Sequence, residues 1–272
     1  MTGYHDQSSH QGAPYAHVFC QHSAVVADPV LAFRPDPHPP ADHRSRWRKL
    51  NLADQALLVL AHLRNGDTHA RLAAGYQLGV TTVWRYITET IDLIADQMPT
   101  LQRLMGELAR LVWVILDGTL IPIDRIADQK PYYNGHKRRH GVNAQFLSDA
   151  RGRLRWVSPA LPGATHDTAA ARHHHIPELL TRHGAATLAD KGYQGAGPTI
   201  ATPFKRSRRL SANQKAANRS LSRARALGER AAATLKCWKI LTKLRCCPTR
   251  ATPILAAITV LQHTEENRPL PG

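Results

Sequence analysis

The sequence predicts an α/β protein in which a helical region precedes strands that alternate with helices. Between residues 51 and 106, apolar residues recur at helical spacing, whereas "LVWVILDGTLIPID" at 111–124 is a nearly continuous apolar run typical of a buried strand. The segment "GVNAQFLSDARGRLRWVSPAL" then predicts two strands around a turn at residues 149–152. A helix, a short strand at "AATLADKGY" and a long basic helix or pair of helices follow, which completes an α/β plan.

The charge of the chain indicates which partners it attracts. Its 272 residues include 36 Lys and Arg against 20 Asp and Glu, a formal net charge of +16. Such a surface attracts phosphate backbones or anionic membranes. No apolar run approaches the roughly eighteen residues that span a bilayer, and residues 1–15 lack the features of a signal peptide. We therefore expect a nucleic-acid partner, no membrane association and a cytoplasmic location.

Composition divides the chain into four parts. Residues 1–46 are rich in His and Pro and are predicted to form a loosely ordered arm. A helical region at 47–106, an α/β region at 107–264 and a short tail at 265–272 follow. The four cysteines show neither metal-ligand spacing nor a disulfide framework, so we expect reduced thiols.

The helical region outlines two helices joined by a turn that contains glycine. The first begins at Asn51, a residue that caps helices well, and stops at an Asn-Gly pair. Gly79 permits a tight turn before the second helix, which Thr81 or Thr82 is expected to cap. The second helix has one apolar face: Val83, Ile87, Ile91, Ile94 and Ala95.

Helix, turn and helix in this order predict a helix-turn-helix, although an ordinary small helical bundle has the same outline. The net charge favours DNA binding. In that interpretation the exposed start of the second helix contacts base edges and phosphates through Thr82, Trp84 and Arg85.

Two aspartates stand at the ends of apolar strand-like runs. Asp117 precedes Gly118, and Asp190 lies two residues before Gly192. Each is a candidate ligand held by a rigid strand beside a glycine that lets another molecule approach. The alternative is that both aspartates merely initiate turns. If further acids join them, the cluster needs a cation, either Arg or Lys or a divalent ion that prefers oxygen ligands.

Glu229 is the only acidic residue between Asp190 and Glu265, in an otherwise basic stretch. Arg225 lies four residues before it and Lys236 seven after, so the three share one face of a helix. An ordinary helical salt bridge is the alternative explanation. An isolated acid among so many cations is nevertheless a candidate for a specific role.

Four stretches, "ILDGTLIPI", the segment from "YYNGHKRRHG" to "PGATHD", "LADKGYQGAG" and "RALGERAAATLKCWKIL", resemble the DDE transposases of bacterial insertion sequences, DDE superfamily endonucleases related to Harbinger transposases. The resemblance covers about residues 50 to 262. It implies an RNase H-like catalytic domain, a mixed sheet with flanking helices, behind the helix-turn-helix. It also implies that Asp117, Asp190 and Glu229 are catalytic and bind two Mg²⁺ or Mn²⁺ ions.

The same resemblance implies a function. Such enzymes bind double-stranded DNA at terminal inverted repeats, cut it, join the freed ends to target DNA, and usually act as homo-oligomers. His166, Asp167, Arg225 and Lys236 are possible site-lining residues. Ser222 stands where related transposases often have Tyr, a departure from the family pattern. Further DNA contacts are expected from Lys137, Arg138, Arg139 and Lys239.

One further sequence feature and two alternative functions remain to be considered. The residues His173 to His175 resemble a metal-binding tract, but adjacent helical side chains diverge, so a solvated face is expected. The chain could be a DNA-binding regulator with an inert α/β part. It could also be an RNase H-like nuclease that acts on another nucleic acid.

Overall fold

The computed structural model describes residues 48–124, 129–205 and 209–266. The predicted arm at 1–46 and most of the predicted tail lie outside these residues. The helices are α1 Leu52–Asn65, α2 His69–Gly75, α3 Val80–Ala95, α4 Leu101–Leu108, α5 Asp167–His173, α6 Ile176–Arg182, α7 Ala212–Ala226, α8 Gly228–Cys237 and α9 Ala251–Glu266. The strands are β1 Val114–Pro122, β2 Tyr133–Asn134, β3 Arg139–Asp149, β4 Leu154–Val157, β5 Leu161–Pro162, β6 Thr187–Ala189 and β7 Ile200–Ala201.

Strand β1 is the centre of a mixed sheet. It pairs antiparallel with β3 along its whole length and parallel with β6, which in turn pairs parallel with β7. Strands β2, β4 and β5 pair antiparallel with β3. The predicted α/β class is confirmed, and a mixed sheet with flanking helices behind an all-α region is consistent with an RNase H-like domain.

Two apolar cores cover the two faces of this sheet. On one face Phe146 packs in a cluster that includes residues of α1, α3, α8 and α9. On the other face Leu116, Leu147 and Trp156 pack with α4, α5 and α6. In the described part of the chain, no helix is long and apolar enough to cross a membrane.

The helices of the predicted helix-turn-helix form as the pattern indicates. Asn51 caps α1 by accepting a hydrogen bond from the Asp54 amide at 2.9 Å. The predicted apolar face of α3 is confirmed, since Val83, Ile87 and Ile91 are buried. The cap expected from Thr81 or Thr82 is wrong, because α3 begins at Val80 and its N-cap is Gly79, which has no side chain to accept a hydrogen bond.

Helix α9 joins the helix-turn-helix to the sheet. Residues of α1, α3 and α9 belong to one buried cluster, which also includes β3 residues. Arg250, immediately before α9, makes an ion pair with Asp92 of α3 at 2.8 Å. The Arg64 guanidinium lies 4.5 Å from the centre of the Trp238 ring. The two predicted regions are therefore packed together rather than joined by a linker alone.

The basic segment after residue 211 forms two helices, one of the two forms expected. Ser211 and Gln214 begin α7 with a reciprocal capping box. The α-helix is interrupted at Leu227, and α8 begins at the next residue. Gly152, in the β3–β4 turn, lies against this interruption with a φ of 79°, and a Cβ there would collide with the Leu227 carbonyl oxygen. The turn and the helix break therefore fit each other.

Candidate active site

Asp117 lies in the interior of β1. The sequence prediction that it ends a strand is wrong, because β1 continues to Pro122 and every residue from Val114 to Pro122 has a partner in β3. Asp117 is opposite Phe146 in this antiparallel pairing. Its Oδ1 accepts a hydrogen bond from the Gly118 amide at 2.8 Å. The pairing with β3 fixes the backbone of Asp117 and the Gly118 amide holds one carboxylate oxygen, with Asp117 and Phe146 on one face of the sheet.

Asp190 follows β6 directly. In the parallel pairing of β1 with β6, Leu116 is opposite Ala189, so the next residues of the two strands, Asp117 and Asp190, are neighbours. The Asp190 Oδ1 accepts a hydrogen bond from the Gly192 amide at 2.7 Å, within the short 3₁₀ helix Lys191–Tyr193. Strand register therefore brings two sequence-predicted acids together across 73 residues of chain.

Burial and the neighbouring charges shift the pKa of Asp117. Burial raises the pKa of Asp117, and the nearby carboxylates of Asp190 and Asp167 raise it further. The hydrogen bond from Gly118 and the positive charge of Arg225 act in the opposite direction and lower this pKa. Burial and repulsion win, so the surroundings of Asp117 disfavour its charged form.

Asp167 approaches β1 from the other face. Its Oδ1 accepts hydrogen bonds from the side-chain amides of Asn143 at 2.8 Å and Gln145 at 3.3 Å. A Cβ built on Gly118 would lie 2.5 Å from this oxygen. The space that Gly118 leaves is thus filled by Asp167, not kept open for a ligand as the sequence suggested. His166, next to it, is exposed and caps α5.

A buried series of side-chain hydrogen bonds lies behind the acids, and the sequence did not predict it. The Tyr193 hydroxyl donates a hydrogen bond to the side-chain Oε1 of Gln145, and the Gln145 side-chain Nε2 donates to Asn143 Oδ1 at 2.8 Å. Burial and the surrounding carboxylates raise the pKa of Tyr193 well above its ordinary value, so the hydroxyl stays protonated and donates. The only signal in the sequence was the placement of polar residues at alternate positions 143 and 145 of the otherwise apolar stretch 142–147.

Arg225 and Glu229 lie on either side of the helix break. Arg225 is half-buried, and its Nε has no hydrogen-bond partner among the described residues. Gly228 packs on Ile115, since a Cβ at Gly228 would lie 2.8 Å from the Ile115 Cγ2. Ile115 is two residues from Asp117 and shares its face of β1. The start of α8 therefore lies against the face that carries Asp117.

Glu229 itself is exposed, as is Lys236 further along α8. The charge of Glu229 is not among those that shift the pKa of Asp117. Within residues 48–124, 129–205 and 209–266, no three His, Cys, Asp or Glu side chains form a group that could hold a metal ion. The pair of aspartates is thus brought together, and the three-acid set stays a prediction.

The predicted DNA-contacting residues lie at the surface. Trp84 is 53% exposed and Arg85 is exposed, whereas Thr82 is half-buried. Three cations, Lys137, Arg138 and Arg139, are exposed at the β2–β3 turn, where Arg138 has a φ of 50°. Lys239 is exposed in the segment after α8. His173 and His175 are exposed too, whereas His174 between them is half-buried.

Comparisons with known proteins bear on both parts of the chain. Residues 116–263 match the family model of the DDE superfamily endonuclease, and residues 48–100 match the helix-turn-helix of DDE superfamily endonuclease. No solved structure gives a significant match.

Two curated proteins are similar over most of their length. A putative transposase for insertion sequence element IS112 from Streptomyces albus G is 30% identical over 211 residues, which are 75% of this chain and 77% of that protein. A probable transposase for insertion sequence element IS702 from Microchaete diplosiphon is 26% identical over 209 residues, 72% and 74% of the two chains. Both matched family models and both relatives agree with the fold, and the chain belongs to the DDE superfamily endonucleases, among the transposases of bacterial insertion sequences.

Proposed function

We propose that this chain cuts the phosphodiester backbone at the terminal inverted repeats of an insertion element and joins the freed ends to target DNA. Asp117, Asp190 and Glu229 are the proposed catalytic acids. The observation that carries the proposal is the pair Asp117 and Asp190, brought side by side by the parallel pairing of β1 and β6 in a half-buried site. Neighbouring carboxylates repel each other, so a site that served only stability would not be expected to place Asp117 and Asp190 side by side.

The donor set suits a hard divalent cation. Mg²⁺ and Mn²⁺ are bound through one or two carboxylates together with water and substrate phosphate, so two aspartates suffice as a core. With Oδ1 of each aspartate bound to a backbone amide, Oδ2 of each would be the ligand atom. When bound, such ions offset negative charge on the scissile phosphate and lower the pKa of water. Two ions per site, with Glu229 as the further ligand, complete the proposal.

The chain's own residues position the substrate. Arg225, half-buried beside Asp117, directs its guanidinium charge at the site and would bind a phosphate oxygen of the cut strand. Gly118, Asn143 and Gln145 fix the back of β1, so that Asp117 keeps its orientation when DNA enters. Thr82, Trp84 and Arg85 of the helix-turn-helix would read the repeat, while Lys137, Arg138, Arg139 and Lys239 would contact backbone phosphates. Two chains would hold two element ends, and this assembly would work in the cytoplasm.

The test is cleavage of a duplex that carries the ends of the insertion element in the presence of Mg²⁺ or Mn²⁺. Alanine at Asp117, Asp190 or Glu229 is expected to abolish cutting while binding to the same duplex persists. Glu178→Ala, an exposed acid on α6, is the matched control and should cut normally. Continued cutting by any of the three variants would refute that residue's role.

Two further arms separate the alternatives. Binding should weaken with salt at a log-log slope of about −0.9 per neutralised phosphate. Specific binding without any cutting would identify a DNA-binding regulator. Cutting of an RNA–DNA hybrid in preference to the duplex would identify an RNase H-like nuclease.

A further inference from the structure

A pocket of about 200 Å³ separates the helix-turn-helix from the segment that follows α8. Helix α3 forms one wall with Trp84, Ile87, Thr88 and Ile91, and residues 239–254 form the opposite wall. His62 and His69 close one end, where their rings lie 5.1 Å apart. The pocket therefore adjoins the helix expected to read DNA, yet it is distinct from the carboxylate pair on β1.

The rim of this pocket is strongly cationic. Lys239, Lys243, Arg245 and Arg250 line it against a single lining acid, Asp67. Lys243 and Arg250 make ion pairs with Asp124 and Asp92, at 3.1 and 2.8 Å. Lys239 and Arg245 are exposed at the rim. Two cations thus remain available for an anionic group at the pocket mouth.

The interior has the opposite character. Ile240 and Ile254 face Ile87 and Ile91 across the pocket, and the Trp84 ring stands beside them half-exposed. Burial lowers the pKa of His62 and of His69, so both rings are neutral at pH 7 and offer hydrogen-bond donors and acceptors without charge. An apolar slot with one aromatic wall, polar end groups and a cationic mouth matches a flat heterocycle that carries a phosphate.

We propose that this pocket takes one unpaired nucleotide of a DNA strand, with its base against Trp84 and its phosphate at Lys239 and Arg245. The inference rests on the proposed function, since it concerns the same DNA. The volume suits a single base, because pockets for larger ligands start at about 300 Å³. Base stacking on an aromatic side chain is indifferent to sequence. The site would therefore hold an unpaired end or an extruded nucleotide beside the duplex that α3 reads.

The test compares two labelled probes of arbitrary sequence, a 12-nucleotide single strand and the blunt duplex of the same length. Trp84→Ala is expected to weaken single-strand binding about tenfold, whereas Trp84→Phe restores it to within about threefold. Because Trp84 is also proposed to read the repeat, the duplex carries no repeat sequence, and Trp84→Ala should weaken duplex binding less than it weakens single-strand binding. Leu93→Ala, an apolar residue of α3 that is 46% exposed outside the pocket, is the matched control and should leave both affinities unchanged.

A fluorescent base supplies a second readout that a structural role would not move. 2-Aminopurine in the single strand should be quenched on binding to the wild-type chain and to Trp84→Phe, but not to Trp84→Ala. Thymidine monophosphate should reverse the quenching. Inorganic phosphate at equal concentration should not, and if it does, the pocket binds an anion alone and the inference is overturned.

The outcomes separate this inference from the proposed function. Equal losses of single-strand and duplex binding in Trp84→Ala would assign Trp84 to duplex reading and overturn the pocket's role. Unchanged single-strand binding in that variant would overturn it as well, while cleavage of the element ends could still proceed. A chain that binds neither probe and cuts no duplex would overturn the proposed function itself.

Discussion

The two sheet-borne acids and the helix-borne acid are positioned by different means. Asp117 and Asp190 are adjacent because β1 and β6 pair in register, and a backbone amide holds one oxygen of each. Glu229 depends on where α8 begins, which is set by the break at Leu227, the contact of Gly228 with Ile115 and the β3–β4 turn at Gly152. The sheet acids are half-buried, whereas Glu229 is exposed.

This difference indicates how the site is assembled. Hydrogen bonds along β1 fix the pair before any ligand arrives, because a sheet residue cannot move without its neighbours. The helical acid has no such restraint, so in the proposed function its approach to a cation would depend on ligand binding. We therefore expect the pair to define the cation site and Glu229 to complete it when DNA is bound.

The largest expected effect is loss of cleavage on substitution of a sheet acid or the helix acid, and metal binding should distinguish the two. Asp117→Asn and Glu229→Gln should each reduce cleavage more than about a thousandfold, a loss of about 4 kcal/mol of transition-state stabilisation. In the absence of DNA, Asp117→Asn should lose Mn²⁺ binding in a calorimetric titration, whereas Glu229→Gln should keep it. Equal loss of Mn²⁺ affinity in both variants would remove the distinction drawn above.

A methyl group on Gly118 should disturb the sheet pair directly. The added Cβ would lie 2.5 Å from Asp167 Oδ1 and 2.9 Å from Gln145 Nε2. We expect Gly118→Ala to lower the free energy of unfolding by about 2 kcal/mol, the scale of overpacking a filled site, and to reduce cleavage. Gly106→Ala on α4 is the control in urea unfolding, since nothing lies within 4 Å of its added Cβ. Similar stabilities for the two variants would argue against the close packing behind β1.

A substitution at Gly152 should disturb the helix break and leave the sheet pair intact. Ala at a φ of 79° is strained by about 1–2 kcal/mol, and its Cβ would collide with the Leu227 carbonyl. Gly184→Ala, with a φ of 64° and no atom within 4 Å of the added Cβ, isolates the strain alone. Gly152→Ala should cut more slowly than Gly184→Ala while both bind Mn²⁺ normally. If the two variants cut equally well, the turn does not control Glu229.

The smallest expected effect is a pH-dependent gain in stability. Burial and neighbouring carboxylates raise the pKa of Asp117, so the folded chain is penalised when this group ionises. That penalty is absent below the ordinary pKa of an aspartate and appears as pH rises through the raised value. Asp117→Asn should therefore unfold a few degrees higher than wild type at pH 8 in EDTA, and the gain should vanish near pH 4. A gain that persists at pH 4 would trace to something other than ionisation.

The sequence predicted the site best where local pattern and packing agree. The apolar runs before Asp117 and Asp190 identified buried strands, and the spacing of Val83, Ile87 and Ile91 identified the buried face of α3. The prediction that the strand ends near Gly118 was wrong, because the long pairing of β1 with β3 outweighs the tendency of glycine to end a strand.

Contacts between distant segments could not be read from the sequence. Asp167 faces Gly118 only because α5 packs on the far side of β1, and no local pattern encodes that contact. The chain from Tyr193 through Gln145 to Asn143 likewise depends on strand β3 and the 3₁₀ helix Lys191–Tyr193 meeting in space. The family resemblance predicted which acids are catalytic, which stays a prediction, whereas the polar support behind them is visible only in the structure.

Helix α9 fixes the position of the helix-turn-helix relative to the sheet. Its core is shared with α3, and the Arg250–Asp92 ion pair ties its start to the same helix. The helix proposed to read the repeat thus cannot pivot freely away from the strands that carry the aspartates. If the proposed function holds, this packing sets the number of base pairs between the bases recognised and the bond broken, and we expect the enzyme to cut at its old distance when the DNA between them is lengthened.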